Sequence, residues 1–181
     1  MKVILISGKA QSGKDTFAKY AKNYFEQNNK RVLITHFGDL VKYTAKTFFN
    51  WNGEKDEKGR SLLQSLGTDD VRKEFPNFWV DYIKNILKIY KNKWDYVLIP
   101  DCRFINEVTN FEENDWDSIS IRIERPNFDN GLTADQKMHP SETNLDYFNF
   151  DYYVYNNGTE EEYSNKVKMF VDFVENFKTN K

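Results

Sequence analysis

Val3-Ile4-Leu5-Ile6-Ser7-Gly8-Lys9-Ala10-Gln11-Ser12-Gly13-Lys14-Asp15-Thr16 is the stretch on which the fold turns. Its first four residues form an apolar run suited to a strand buried on both faces. Two glycines and a lysine follow with the spacing of a phosphate-binding loop, and Phe17, Ala18, Ala21, Tyr24 and Phe25 then recur at helical intervals. Small residues let such a loop curl so that backbone N–H groups converge on phosphate oxygens, and the helix N-terminus adds partial positive charge. Lys14 is placed to reach the outer phosphates. A tight turn with an N-cap would explain the glycines alone, but not the lysine and both flanks in register. One position departs from the usual pattern. Asp15 stands where Ser or Thr normally binds magnesium, with Thr16 one residue later.

A chain of 181 residues is long enough for one domain, 1–181, with a sizeable core. Its 26 basic and 28 acidic residues nearly cancel, so bulk charge gives no sign of a nucleic-acid partner. The single cysteine, Cys102, excludes an internal disulfide and a Cys-based zinc site and fits a reducing compartment. The first residues enter a strand without a charged-then-apolar leader, and no apolar run approaches the ~20 residues of a bilayer span. The expectation is a cytoplasmic protein without a membrane partner.

Alternating strands and helices along the chain predict a parallel α/β sheet. A first helix runs from Lys14 to about Asn28, and Arg31–Thr35 forms a second strand. Asp39 is the expected cap of a helix from Leu40 to about Phe49. Residues 52–59 read as a polar loop, and Leu62, Leu63 and Leu66 as a short helix stopped by Gly67. Phe78 to about Tyr90 is helical. Tyr96–Ile99 is a third buried strand, Ser118–Glu124 a fourth with one apolar face, and Tyr152–Tyr155 a fifth. Residues 126–140 read as an extended loop. Thr159 and Glu162 form a capping box for a last helix with Tyr163, Val167, Phe170, Val171, Val174 and Phe177 on one stripe.

Asp101 lies just past the third strand, at the edge where open α/β sheets bind ligands, and can hold magnesium directly or through water. The plainer alternative is a helix-capping aspartate. Arg103 offers a guanidinium fork for a phosphate, or simply pairs with Asp101. Arg125 ends the fourth strand at the same edge, whereas Arg122 alternates away from the isoleucines and reads as a solvated strand residue. Arg60 and Arg72 flank the short helix where a substrate-binding insertion belongs. His139 and Glu142 form a second polar cluster, with no nucleophile elbow beside them.

Taken in order, Ser7–Thr16, Leu63-Gln64-Ser65-Leu66-Gly67-Thr68 with Arg72, Phe78-Trp79, Asp101–Glu107, Glu124-Arg125-Pro126, His139–Thr143 and Asn157-Gly158-Thr159 resemble the deoxynucleoside monophosphate kinases of bacteriophages and some bacteria. In that family Asp-Thr after the loop lysine is usual. The resemblance implies a three-layer α/β P-loop kinase fold, with five parallel strands in order 2-3-1-4-5 and helices on both faces. It implies transfer of the γ-phosphoryl of ATP to a deoxynucleoside monophosphate, with Mg2+ held by Asp15 and Asp101. Gly8, Lys9, Gln11, Ser12, Gly13, Lys14, Asp15 and Thr16 would hold the ATP phosphates, with Asn157, Gly158 and Thr159 near adenine. Residues 39–92 would form the monophosphate-binding insertion, with Asp39, Arg60, Arg72, Trp79, Arg103, His139 and Glu142 on the acceptor side. Residues 125–142 would act as a lid, and Lys14, Asp101, Arg103 and Arg125 would serve catalysis. A homodimer stays open.

Two other readings remain at this point. An animal-type phosphomevalonate kinase shares the Ser-Gly-Lys-Asp loop, and a non-catalytic ATP-binding module would keep the loop without Arg103. A GTPase is disfavoured, because no Asn-Lys-x-Asp motif follows a late strand.

Overall fold

The computed structural model describes residues 1–112 and 116–176. Five parallel strands form one sheet in the order β2-β3-β1-β4-β5. They are β1 (Lys2–Ser7), β2 (Val32–Ile34), β3 (Tyr96–Cys102), β4 (Asp117–Glu124) and β5 (Tyr152–Tyr155). This is the expected order. Every residue of β1 is buried, because helices cover both faces of the sheet.

The period-two alternation of a strand sends successive β1 residues into different cores. Val3 and Leu5 pack with Val97, Ile99 and the helices α2 (Gly38–Phe49), α5 (Phe78–Ile89) and α6 (Ile105–Glu112). Ile4 and Ile6 pack with Leu98, Ile121 and the helices α1 (Lys14–Gln27) and α9 (Glu160–Asn176). The Thr159–Glu162 capping box is present, through Thr159 N–H to Glu162 and Glu162 N–H to Thr159. Phe177, expected on the α9 stripe, lies outside the described residues.

Several local expectations are corrected. Helix α2 starts at Gly38, and Asp39 sits inside its first turn rather than capping it. The start of α2 is instead held by Asp101, whose carboxylate accepts the N–H groups of Phe37 (3.0 Å) and Gly38 (2.8 Å). The polar loop is shorter than expected, since α3 spans Glu57–Gln64 with Asp56 as N-cap. Gly67 does not stop the helix. The chain continues through a π-helical stretch, Ser65–Asp70, into α4 (Val71–Glu74). A glycine inside a helix costs only about 1 kcal/mol. Here the Gly67 carbonyl accepts the Trp79 indole N–H at 3.0 Å, which compensates.

Strand β3 runs on through Pro100 and Asp101. Between Leu5 and Ser7 of β1 its register slips, an irregularity at the site of that proline. Residues 126–140 contain α7 (Ala134–Met138), opened by a Thr133–Gln136 capping box, and α8 (Pro140–Thr143) follows. Arg122 is buried, not solvated. Its strand lies inside the sheet, and it donates to Ser7 Oγ (3.1 Å) and pairs with Asp146.

Gly59 is buried within α3. A Cβ there would stand 2.0 Å from the Glu54 carbonyl oxygen and 2.7 Å from the Trp51 indole nitrogen. Alanine normally favours a helix over glycine by about 1 kcal/mol. Gly59→Ala should nevertheless lower stability by about 1–3 kcal/mol through overpacking. Urea titration measures this, and an increase in stability would contradict the packing described.

Candidate active site

The loop after β1 is built by close contacts. Gly8 accepts no side chain, because a Cβ would lie 2.5 Å from both the Ile123 carbonyl oxygen and Ser12 Oγ. Gly13 has φ +102°, and its Cβ would strike Asn156 Nδ2 at 2.6 Å. Behind the loop, Asn156 donates to the Ser12 carbonyl (3.0 Å) and the Tyr163 hydroxyl to the Gly13 carbonyl (3.1 Å). Neither brace is apparent from sequence spacing, since each spans more than a hundred residues.

Lys14 is curled into this loop, donating to the carbonyls of Gly8 (2.8 Å) and Lys9 (2.7 Å). Burial, reinforced by the nearby Arg103 charge, pushes its pKa down to about 7, against the opposing pull of Glu142, Asp15 and Asp101. A buried ammonium without an anionic ligand is costly, and phosphate is the ligand that would relieve that cost.

Two cavities flank the loop. One, of about 520 Å³, is walled by Arg60, Arg72, Trp79, Asp101 and Arg103 among others. The second, of about 400 Å³, lies against Thr16, Arg125, Asn156, Gly158 and Tyr163. Gln11, Lys14 and Asp15 line both.

In the larger cavity, one helical stripe presents Arg60, Leu63, Gln64, Gly67, Thr68 and Arg72 to the same space. Arg72 pairs with the buried Glu107 and lies 4.1 Å from the Phe104 ring centroid. Burial pushes the Glu107 carboxyl up to about 7, opposed by the Arg72 charge and by backbone N–H groups of Arg103 and Phe104. Glu107 thus holds Arg72 and the turn that carries Arg103. The only sequence signal for it is its place in the Asp101–Glu107 motif. Arg103 does not pair with Asp101; its Nη1 bonds the Ser141 carbonyl (3.1 Å) and Glu142.

Asp15 acquires a partner that sequence reading missed. His36 Nε2 lies 3.3 Å from Asp15 Oδ1, while His36 Nδ1 lies 3.2 Å from Asp39 Oδ2. The hydrogen bond from His36 lowers the Asp15 pKa, and the same bond raises that of His36. Lys9 is strapped from the other side, to Asp146 and the Glu142 carbonyl (2.6 Å).

Some expected residues lie elsewhere. Arg125 faces the smaller cavity, its guanidinium 3.6 Å from the Phe128 ring centroid, so it is apart from Arg103 and the larger cavity. Asn157 accepts Lys166 and Thr159 caps α9, while their neighbours Asn156 and Gly158 line the cavity. His139 caps α8 through Nδ1, which accepts the Ser141 N–H. Asp39 is bound to His36 and Lys42 and lines neither cavity. Ser12 Oγ is buried without a hydrogen-bond partner.

Among the described residues, no group of three or more His, Cys, Asp or Glu could hold a metal ion. That donor set still suits magnesium, which commonly takes one or two carboxylates and completes its shell with water and phosphate oxygens. Asp15 faces both cavities and has one carboxylate oxygen clear of His36. Both oxygens of Asp101 are engaged by backbone N–H groups, which favours contact through water.

Because the Lys14 pKa is about 7 in the free protein, an anionic polyphosphate beside it would raise that value. Nucleotide binding between roughly pH 7.5 and 9 should therefore take up a proton, and affinity should fall as pH rises through that window. Calorimetry in buffers of different ionisation enthalpy measures the uptake. A binding reaction with no proton uptake that Lys14→Met alters would contradict this electrostatic picture.

A family model described as deoxynucleotide monophosphate kinase matches residues 34–167. That span carries Arg60, Arg72, Asp101, Arg103 and Glu142 of the larger cavity. No curated protein matches the sequence. Similar solved structures include dephospho-CoA kinase from Campylobacter jejuni, at 13% identity and TM-score 0.54, covering 96% of this chain and 98% of that one. Another is the APS kinase of Mycobacterium tuberculosis in complex with AMPPNP and APS, at 11% identity and TM-score 0.53, covering 96% and 97%. These likenesses establish a shared P-loop kinase fold. Among the described residues, no helix is long and apolar enough to cross a membrane. With its family model covering most of the sequence and its phosphate-binding loop between two cavities, this chain belongs to the deoxynucleotide monophosphate kinase family and is a phosphotransferase.

Proposed function

We propose that the protein transfers the γ-phosphoryl group of ATP to the 5′-phosphate of a deoxynucleoside monophosphate, giving the diphosphate and ADP. The observation that carries this reading is the pair of cavities meeting at Gln11, Lys14 and Asp15. The smaller is assigned to ATP and the larger to the acceptor. A phosphoryl group then crosses where both cavities share a wall.

In this account Lys14 and the loop N–H groups neutralise the donor phosphates, and Asp15 with Asp101 holds magnesium. The ion supplies charge stabilisation to the polyphosphate. Arg103 and Arg72 receive the acceptor phosphate, with Arg60 further along the same helical face. Arg125 acts on the donor nucleotide, consistent with its place in the smaller cavity. The segment 39–92 is the monophosphate-binding insertion, because it contributes Arg60, Arg72 and Trp79 to the acceptor wall. Residues 125–142 serve as a lid, and Leu132 and Gln136 already border the larger cavity. Closure would keep water from the phosphoryl group. The acceptor is an anionic oxygen, so no strong general base is required.

An ATP-coupled assay over deoxynucleoside monophosphates, ribonucleoside monophosphates and phosphomevalonate tests the assignment. A deoxynucleoside diphosphate is the expected product, whereas turnover of phosphomevalonate alone would overturn it. Lys14→Ala should abolish turnover and leave the fold intact by circular dichroism, since removing a desolvated ammonium relieves strain. Arg103→Ala should lower kcat/KM for the acceptor by about 10²-fold, the order expected for one lost charge-stabilising donor. Its ATP affinity should be retained; wild-type kinetics would remove Arg103 from the site.

A further inference from the structure

Arg103 carries five N–H donors, but the protein engages only one end of its fork. Nη1 donates to the Ser141 carbonyl oxygen and to Glu142 Oε1. Among the described residues, Nε and Nη2 have no partner, and Arg103 is part of the wall of the larger cavity. The other oxygen of the same carboxylate, Glu142 Oε2, accepts the Ala10 N–H of the phosphate-binding loop at 2.9 Å. The Glu142 side chain is only 7% exposed, too enclosed for an incidental surface pairing. One rigid carboxylate therefore spans the donor loop and the acceptor-side arginine.

We propose that Glu142 is a positioning residue: it clamps the Nη1 end of Arg103 to the phosphate-binding loop, leaving the Nε–Nη2 edge aimed at the acceptor phosphate. This rests on the reading of Arg103 as an acceptor-phosphate ligand. Glu142 borders the larger cavity, but both of its carboxylate oxygens are already engaged by N–H groups of the protein. Its two hydrogen bonds fix the separation between the loop that holds the donor and the guanidinium that holds the acceptor. An in-line transfer is sensitive to that separation, since misplacement by about 1 Å can cost 10²-fold in rate. In this proposal α8 sets reaction geometry through the contact of Glu142 with Arg103.

Glu142→Gln separates the two contacts. The amide oxygen can still accept from Ala10, but the charge facing Arg103 is lost. The variant should bind ATP within threefold of the wild-type affinity and melt within a few degrees of it. Its kcat/KM for the acceptor should fall at least tenfold. In an Arg103→Ala background the same substitution should have no further effect, because both changes remove one device. Inorganic phosphate binding provides a second comparison independent of turnover, by calorimetry with the donor site filled by AMPPNP. Each single variant should weaken phosphate, and the double variant should match Arg103→Ala.

Multiplicative losses in the double variant would overturn the proposal. So would tighter acceptor or phosphate binding by Glu142→Gln, which would make the carboxylate a competitor for Arg103. If wild-type protein transfers phosphoryl to no monophosphate, the functional reading fails, while the phosphate comparison still decides the role of Glu142.

Discussion

The buried position of β1 between β3 and β4 is the constraint on which the rest of the molecule depends. A strand with neighbours on both edges and helices on both faces has one exit, the carboxyl edge of the sheet. The loop at 8–13 must therefore emerge at the centre of that edge, beside the ends of β3 and β4. Asp101 and Arg103 arrive from one neighbour and Arg125 from the other. The two cavities are a consequence of this, one on each side of the central loop. Crowding follows too, since Gly8 meets the β4 backbone at Ile123 and Gly13 meets Asn156 beyond β5.

Charge is then arranged so that the free protein tolerates a cationic pocket. Lys14, Arg72 and Arg103 would repel one another and pay heavily for burial if left alone. Glu107 and Glu142 offset two of these charges, and Lys14 is left with a depressed pKa. Arginine is suited to this because one end of its fork can be held by protein while the other stays available. Asp101 performs a different task. By accepting the N–H groups of Phe37 and Gly38, it joins the start of α2 to the strand edge. His36 adds a bridge between the α1 and α2 starts through Asp15 and Asp39.

Much of this could be read from local sequence. The apolar run of β1, the loop spacing, the β5 segment Tyr152–Tyr155 and the Thr159–Glu162 box are short-range signals, and they recur in the structure. Partnerships across the chain could not be read. Asp101 meets Gly38 over 63 positions and Arg103 meets Glu142 over 39, and no periodicity encodes either. Arg122 is buried because alternation signals a solvated face only when the sheet has one. The Thr133–Gln136 box was locally visible, but Pro126 and Asn130-Gly131 favoured a loop across the whole segment. At Gly67, tertiary packing overrode a helix-stop signal.

A bisubstrate analogue, in which adenosine and a deoxynucleoside are joined through a polyphosphate, tests most directly whether one loop serves two cavities. Such a compound should compete with both ATP and the acceptor, and its crystal complex should show a nucleoside in each cavity with phosphates across Lys14. Competition with ATP alone, with the second nucleoside outside the cavity walled by Arg72 and Arg103, would contradict the account.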